Sequence, residues 1–144
     1  MTVQRLLNDK GGFVPVIRSE VSLRDVIEQL KIDEAGALVV TDDNRSILGL
    51  ISERDIVRGL QAHGRDVVDR PVSDLMTRNV ITCDVGEPLT AVLELMDRHQ
   101  IQHVPIVRNG VLCGIINMLD VVKYRLAEID AEAQALKEYV VGSR

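Results

Sequence analysis

Residues 49–57 read Gly-Leu-Ile-Ser-Glu-Arg-Asp-Ile-Val, the pattern of a buried strand that turns directly into a helix. Ser52 stands where the helix begins and is a suitable N-cap, because its hydroxyl can accept a hydrogen bond from a free backbone amide. Asp55, three residues later, places a carboxylate among the free N–H groups of the first turn. A single stretch of this kind is most simply a variant of the capping box.

The same stretch occurs a second time at residues 114–122, which read Gly-Ile-Ile-Asn-Met-Leu-Asp-Val-Val. Asn117 takes the position of Ser52, and Asp120 takes the position of Asp55. Other segments match in the same order, namely residues 3–7 with 72–76, 16–17 with 80–81, and 38–40 with 104–106. Two copies that each fill about half the chain predict a pseudo-symmetric pair with a shared core rather than a solenoid.

Both copies predict the same order of elements: helix, strand, helix, strand, strand, helix. In the first copy these are a short helix after Thr2, a strand at 13–17, a helix after Ser22, strands at 36–40 and 46–51, and a helix from Ser52 to about residue 62. In the second copy they are a short helix at 72–76, a strand at 79–83, a helix after Pro88, and strands at 103–107 and 111–116 joined by an Asn-Gly turn. A polar linker, residues 65–71, joins the copies.

The last helix is longer than its counterpart in the first copy. It starts near Met118, and its apolar residues alternate three and four apart, which is a heptad pattern. Two interpretations stay open: a long helix that lies across its own domain, or the seam of a dimer or docking surface. The apolar positions are Leu119, Val122, Leu126, Ile129, Ala133, Leu136 and Val140.

Composition excludes several classes of protein. The chain has 144 residues, 46% of them apolar, which is the size of one ordinary domain with a sizeable core. A net charge of −5 argues against binding to nucleic acid, which depends on clustered Lys and Arg. No apolar run reaches the ~20 residues of a membrane span. Cys83 and Cys113 lie in apolar surroundings and the chain has no leader segment, so we expect a reduced, cytoplasmic protein.

The sequence holds no candidate catalytic residues and no metal site. Its three histidines, at 63, 99 and 103, share no metal-ligand spacing with carboxylates or cysteines. Its glycines lack the spacing of a phosphate-binding loop. No histidine lies close in sequence to Ser52, and a lone serine at a helix start is usually a cap. We therefore expect a protein that is not an enzyme.

The two Asp-containing turns, together with the segment His-Val-Pro-Ile-Val at residues 103–107, resemble a pair of cystathionine β-synthase (CBS) domains, also called a Bateman module. The whole chain is particularly similar to small stand-alone bacterial proteins of this type. The resemblance implies an α/β (α+β) fold with two β-α-β-β-α repeats packed as one module about a pseudo-twofold axis. The expected division is a first repeat at 1–64, the linker at 65–71, a second repeat at 72–126 and an extended C-terminal helix at 127–144.

The resemblance further implies a cleft on each side of the module that binds an adenine nucleotide. In the first cleft the carboxylate of Asp55 would bind the ribose hydroxyls and Ser52 would face phosphate, with Arg54 beside them. The strands of the second repeat would enclose adenine. The residues expected in this cleft are Ser52, Arg54, Asp55, Val80, Thr82, Gln102, His103, Val104 and Pro105.

The second cleft would join the Asp120 turn to the strands of the first repeat. It departs from the family pattern, since Asn117 replaces Ser or Thr and apolar Met118 and Leu119 replace the polar pair of the first turn. This cleft is expected to prefer a nucleoside or a larger dinucleotide, or to stay empty. Its expected residues are Lys10, Val16, Ile17, Arg18, Gly36, Ala37, Leu38, Asn117 and Asp120.

These observations lead to a non-catalytic regulatory module. It would bind AMP, ADP, ATP or an NAD-like ligand without any required cofactor, form a homodimer, and pass its signal to a partner protein that the sequence does not name. The alternative is a dimeric interaction scaffold with vestigial nucleotide sites that acts through its C-terminal helix. A weaker third interpretation is a hydrolase of nucleotides.

Overall fold

The computed structural model describes Met1–Gly142, so the predicted helical residues Ser143 and Arg144 lie outside the described residues. Each half of the chain contributes one three-stranded sheet, in which the first pair of strands is parallel and the second antiparallel. The first half contains α1 (Val3–Lys10), β1 (Val16–Ile17), α2 (Leu23–Asp33), β2 (Ala37–Val40), β3 (Gly49–Ser52) and α3 (Glu53–His63). The second half contains β4 (Cys83–Asp84), α4 (Leu89–His99), β5 (His103–Arg108), β6 (Val111–Asn117) and α5 (Met118–Gly142), and 3₁₀ helices at Arg65–Asp69 and Val72–Asp74 connect the halves.

The strand register confirms the repeat. Ala37 pairs with Ser52 in the first sheet, and His103 pairs with Asn117 in the second, so the two polar turns occupy equivalent places. The mixed fold with two small sheets and a long last helix confirms the predicted fold class.

Strands β1 and β4 are much shorter than predicted, and β2 and β3 begin later than predicted. The predicted helix at 72–76 is a three-residue 3₁₀ helix. Pro15 offers no N–H for the ladder, and β1 begins after it, at Val16. The segment before β4 leaves its own sheet because Thr77 exchanges both backbone hydrogen bonds with Leu50 of the first repeat, at 2.9 Å each.

The leading segment of each copy packs into the core of the other copy. From α1, Val3, Leu6 and Leu7 are buried among residues of the second sheet and α4. In return, Val72 and Met76 are buried with the residues of the first repeat. The predicted linker 65–71 takes part in this exchange, since its Val67 is fully buried in the core of the first repeat. Packing therefore assigns residues 3–10 to the second core, whereas the domain boundaries predicted from the sequence stay a prediction.

Two equivalent glycines make room for the exchanged segments. A Cβ atom on Gly49 would lie 2.5 Å from Sδ of Met76 and 2.9 Å from the carbonyl oxygen of Thr77. A Cβ atom on Gly114 would lie 2.6 Å from Cδ2 of Leu7. All three distances are below van der Waals contact, so each glycine permits an approach that no other residue allows.

The helix α5 projects its second half away from the cores. Val121 is buried near its start, but every residue from 129 to 142 is exposed. The interpretation that this helix lies across its own domain is therefore wrong for residues 129–142, because no residue between Met1 and Gly142 covers them. Within residues 1–142, no helix combines the length and the apolar content that a membrane crossing requires.

We predict that Gly49→Ala lowers the free energy of unfolding by about 1–3 kcal/mol, because the new methyl group overpacks the contact with Met76 and the Thr77 backbone. Urea unfolding measures the loss. Gly12→Ala is the control, since a Cβ atom there meets nothing within 4 Å. Equal stability of the two variants would contradict the role of Gly49.

Candidate functional site

A cavity of about 280 Å³ lies between the two repeats, beside the start of α3. Ser52, Arg54 and Asp55 form one side, and Val80, Gln102 and His103 form the other. These are six of the nine residues expected in the first cleft. The remaining lining residues are Gly36, Leu50, Glu53, Arg58, Thr77, Asn79, Ile81 and Ile101.

The carboxylate of Asp55 is held in a fixed orientation at this cavity. Its Oδ2 accepts from the backbone N–H and the hydroxyl of Ser52, at 2.9 and 3.0 Å. The Ser52 hydroxyl accepts in turn from the Asp55 backbone N–H at 3.4 Å, which completes the capping box. Oδ1 accepts from the hydroxyl of Thr77 at 3.0 Å. The carboxylate is thus preorganised, and the hydroxyl that it binds at Oδ1 comes from the segment exchanged between the repeats.

Two arginines occupy the same wall of the cavity. Arg54 and Arg58 lie one turn apart on α3, and both are exposed. Nη1 of Arg54 donates to the backbone carbonyl of Gln100 at 3.0 Å, which ties α3 to the second repeat. Together with the positive end of the α3 dipole, these guanidinium groups make the wall attractive to an anion. Glu53 adds one negative charge near His103.

His103 stands between the two predicted clefts. Its ring packs against Gly36, where a Cβ atom would lie 3.0 Å from Nε2. Burial of the ring lowers the pKa of His103 below its ordinary value, while the nearby charges of Glu53 and Asp120 raise it and Lys10 lowers it. The imidazole therefore senses charged groups of both clefts.

Three residues expected in the first cleft do not line the cavity. Val104 is fully buried in the second core, because successive side chains of β5 point to opposite faces and His103 takes the cavity face. Pro105 is buried opposite Ile115 in the sheet. Thr82, which directly precedes β4, lies instead in a separate depression of about 260 Å³ with Cys83 and Glu94.

Gly36 was expected in the second cleft and lies in the first. Its carbonyl accepts from the backbone N–H of Glu53 at 3.2 Å, so the start of β2 adjoins the start of α3 in the same repeat. Sequence reasoning also missed Thr77, Asn79 and Arg58. The four-residue spacing of Arg58 from Arg54 indicated a shared helix face, whereas nothing local marked Thr77 or Asn79.

The turn at Asn117 and Asp120 has the same reciprocal hydrogen bonds as the capping box of Ser52 and Asp55. Its carboxylate, however, also contacts a lysine, whereas that of Asp55 contacts the Thr77 hydroxyl. Asn117 Oδ1 accepts from the Asp120 backbone N–H at 2.8 Å, and Asp120 Oδ2 accepts from the Asn117 backbone N–H at 2.9 Å. Lys10, at the end of α1, donates to the same Oδ2 at 2.6 Å and to the carbonyl of Ile115 at 2.9 Å. The carboxylate of Asp120 is thus already paired with a cation.

The other residues expected in the second cleft do not surround this pair. Arg18 donates to the carbonyl oxygen of Thr41 at 3.2 Å. Ala37 and Leu38 are buried within the first sheet, and Leu38 belongs to its core. Val16 and Ile17 are half-buried in β1. Of the expected set, the structure brings together Lys10, Asn117 and Asp120.

Among residues 1–142, no group of three or more His, Cys, Asp or Glu side chains is arranged to hold a metal ion.

Comparison with known proteins identifies the repeat. The model of the CBS domain family matches residues 13–62 and 72–127. The crystal structure of the CBS-domain containing protein ATU1752 from Agrobacterium tumefaciens has a TM-score of 0.83 and 36% sequence identity, and covers 87% of this chain and 99% of that chain.

Two curated relatives differ in length from this chain. An uncharacterized 17.7 kDa protein of Acidianus ambivalens is 33% identical over 111 residues, which are 76% of this chain and 66% of that protein. An inosine-5′-monophosphate dehydrogenase of Nitrosopumilus maritimus is 28% identical over 99% of this chain, but the match spans only 31% of the enzyme. The chain therefore corresponds to a part of each relative.

One solved structure of the same fold contains ligands. The CBS domain pair of protein MJ0100, in complex with 5′-methylthioadenosine and S-adenosyl-L-methionine, has a TM-score of 0.76 and 24% identity, and covers 89% of this chain and 98% of that chain. At this identity the likeness establishes the fold.

We predict that the free energy of unfolding falls as the pH decreases from 7.5 through 6.5, in part because His103 must take up a proton in a buried place. The pKa of His103 is lower in the folded than in the unfolded chain, so the unfolded state binds more protons and gains from acidification. His103→Gln should flatten this dependence in urea unfolding at pH 7.5 and 5.5. The exposed His99→Gln is the control, and an equal effect of both variants would refute the assignment.

Proposed function

Because this chain belongs to the CBS-domain family, with two copies of the domain in tandem, we propose that it is a regulatory module that binds an adenine nucleotide in the cavity beside Asp55. The observation that carries the proposal is the fixed carboxylate of Asp55 at a cavity with apolar residues on one wall and two arginines on another. The carboxylate can bind ribose, the apolar wall can contact adenine, and the arginines can bind phosphate.

The ribose is the part that Asp55 would bind. A carboxylate accepts two hydrogen bonds from a cis-diol, and the capping box already aims the group. Oδ1 now accepts from the Thr77 hydroxyl, so a ribose hydroxyl would join or replace that donor. Binding would thereby act on the segment that one repeat contributes to the other.

Adenine and phosphate would lie on either side of the ribose. Val80, Ile81 and Ile101 offer apolar contact for the base, and the cavity is near the lower limit of ordinary ligand sites. The arginines at 54 and 58 and the start of α3 would bind phosphate. The ligand class is thus a phosphorylated adenosine such as AMP, ADP, ATP or an NAD-like compound. The adenosine compounds bound by MJ0100 support this class by showing that the fold accommodates the nucleoside.

Regulation would follow from the position of the cavity between the repeats. A ligand that contacts both repeats binds more tightly to the arrangement in which both walls of the cavity are within reach. This difference in affinity between the two arrangements shifts the population toward that arrangement. The chain would act as a homodimer and pass this shift to a partner protein. In the dehydrogenase relative a similar module is part of a larger enzyme, in keeping with a regulatory rather than catalytic part.

The alternative function is an interaction scaffold with vestigial nucleotide sites. The ion pair between Lys10 and Asp120, which occupies the second site, favours it, and so does the exposed apolar stripe of α5. The ligand test below separates the two functions.

We predict that an adenine nucleotide raises the unfolding temperature of the pure, nucleotide-free protein. At ~100 times its dissociation constant a ligand adds about 2.7 kcal/mol, which is a shift of several degrees. AMP, ADP, ATP and NAD are compared by differential scanning fluorimetry. Asp55→Ala and the closer Asp55→Asn should abolish the ligand-induced shift, whatever their own stability, whereas the exposed Asp97→Ala should keep it. No shift with any ligand would favour the scaffold.

We predict that Arg58→Ala weakens binding of the nucleotide selected in that test by about 10-fold, because one charge-assisted hydrogen bond to phosphate is lost. Adenosine, which lacks phosphate, should bind both proteins equally. Isothermal titration calorimetry measures both affinities, with Arg65→Ala as a control outside the cavity. A matching loss for adenosine would show that Arg58 does not act on phosphate.

A further inference from the structure

Helix α5 presents along its length an apolar stripe that the rest of the described chain leaves exposed. Along the heptad, Leu119 and Leu126 occupy a positions, and Ile129 and Leu136 occupy d positions. The exposed fractions of Leu126, Ile129 and Leu136 are 57%, 51% and 64%. Beyond the Asp120 turn, the residues of α5 that are buried or half-buried are Val121, Tyr124 and Glu128, at c and f positions on the opposite side. The stripe therefore faces away from the protein's own cores.

We propose that this stripe, residues 119–140, binds the same stripe of a second copy of the chain as a parallel, in-register coiled coil. The proposal does not depend on nucleotide binding. It accounts for the exposed part of the helix, residues 129–142, since isolated helices of that length are marginal in water.

The charges beside the stripe match this parallel arrangement. In a parallel coiled coil each g residue faces the e residue five positions later on the other helix. Arg125 at g would meet Asp130 at e of the second copy. Glu132 at g would likewise meet Lys137 at e. Both contacts join opposite charges, and twofold symmetry repeats each of them.

Arg125 already forms an ion pair within its own helix, and Asp130 of the second copy would have to compete with that ion pair. Its Nη1 donates to Oε2 of Glu128 at 2.8 Å. The Arg125 side chain is 59% exposed, and exposed pairs of this kind contribute little, so the guanidinium can turn to Asp130 of a second copy at small cost.

An antiparallel pairing fits the charges less well. If residues 122–140 overlapped fully, Asp130 would face Asp130 of the second copy and Glu132 would face Glu132. A shorter antiparallel overlap, of residues 119–136, pairs opposite charges but leaves the last turn beyond the contact. Only the parallel register uses the whole stripe without opposing like charges.

Sedimentation equilibrium of the full chain tests the interface. The unsubstituted protein should have the mass of a dimer or a larger assembly. Ile129→Glu should be monomeric at the same concentration, with an unchanged thermal unfolding of the cores. Ala131→Glu, which adds the same charge at an f position, should keep the assembly. A monomeric unsubstituted protein, or an Ile129→Glu variant that remains assembled, would overturn the proposal.

Oxidative cross-linking tests the orientation. Leu136→Cys should form a disulfide with itself across the seam, because equal d positions face each other in a parallel coiled coil. Ala131→Cys is the matched control, and the native Cys83 and Cys113 set the background. Absence of the Leu136→Cys disulfide in a protein that is still assembled would refute the parallel register.

A charge swap gives an independent reading. Lys137→Glu alone should weaken the assembly several-fold, and addition of Glu132→Lys should restore it, because these residues meet in the parallel register only. A double variant no tighter than Lys137→Glu would contradict that register.

Discussion

The close approach of backbone and side chain at two equivalent glycines is the constraint on which the rest of the structure depends. Met76 reaches Gly49, and Leu7 reaches Gly114, each from the segment that precedes the opposite repeat. Neither repeat can complete its core without the segment that it receives. The exchange thus makes one module of two copies that are each too small to bury a large core alone.

The same exchange supplies the third partner of each Asp-containing turn. Thr77 follows Met76 closely and donates to Asp55, whereas Lys10 follows Leu7 and pairs with Asp120. Two turns with almost the same local hydrogen bonds therefore differ in charge: the first carboxylate faces a neutral hydroxyl, and the second is paired with a cation. This difference makes the Asp55 cavity the better candidate for a ligand, and it arises outside the turns themselves.

Along α5, the same helix serves two environments. Its first turns carry the Asp120 box and pack Val121 into the second core, while its second half is exposed with apolar residues in heptad order. The Asp120 turn therefore continues without a loop into the exposed stripe.

The repeat, the hairpins, the helices α1 to α5 and both capping boxes were predictable from the amino-acid sequence, because periodicity, turn residues and N-caps act within a few positions of one another. Alternation along β5 also separates His103 from Val104, so the burial of Val104 had a local signal. The tertiary structure alone decided that α1 belongs to the second core, that Gly36 lies beside Glu53, and that Thr77 and Lys10 complete the two boxes. Each of these contacts joins segments that are not adjacent in the chain. Which segments meet depends on which surfaces are complementary once both repeats have folded.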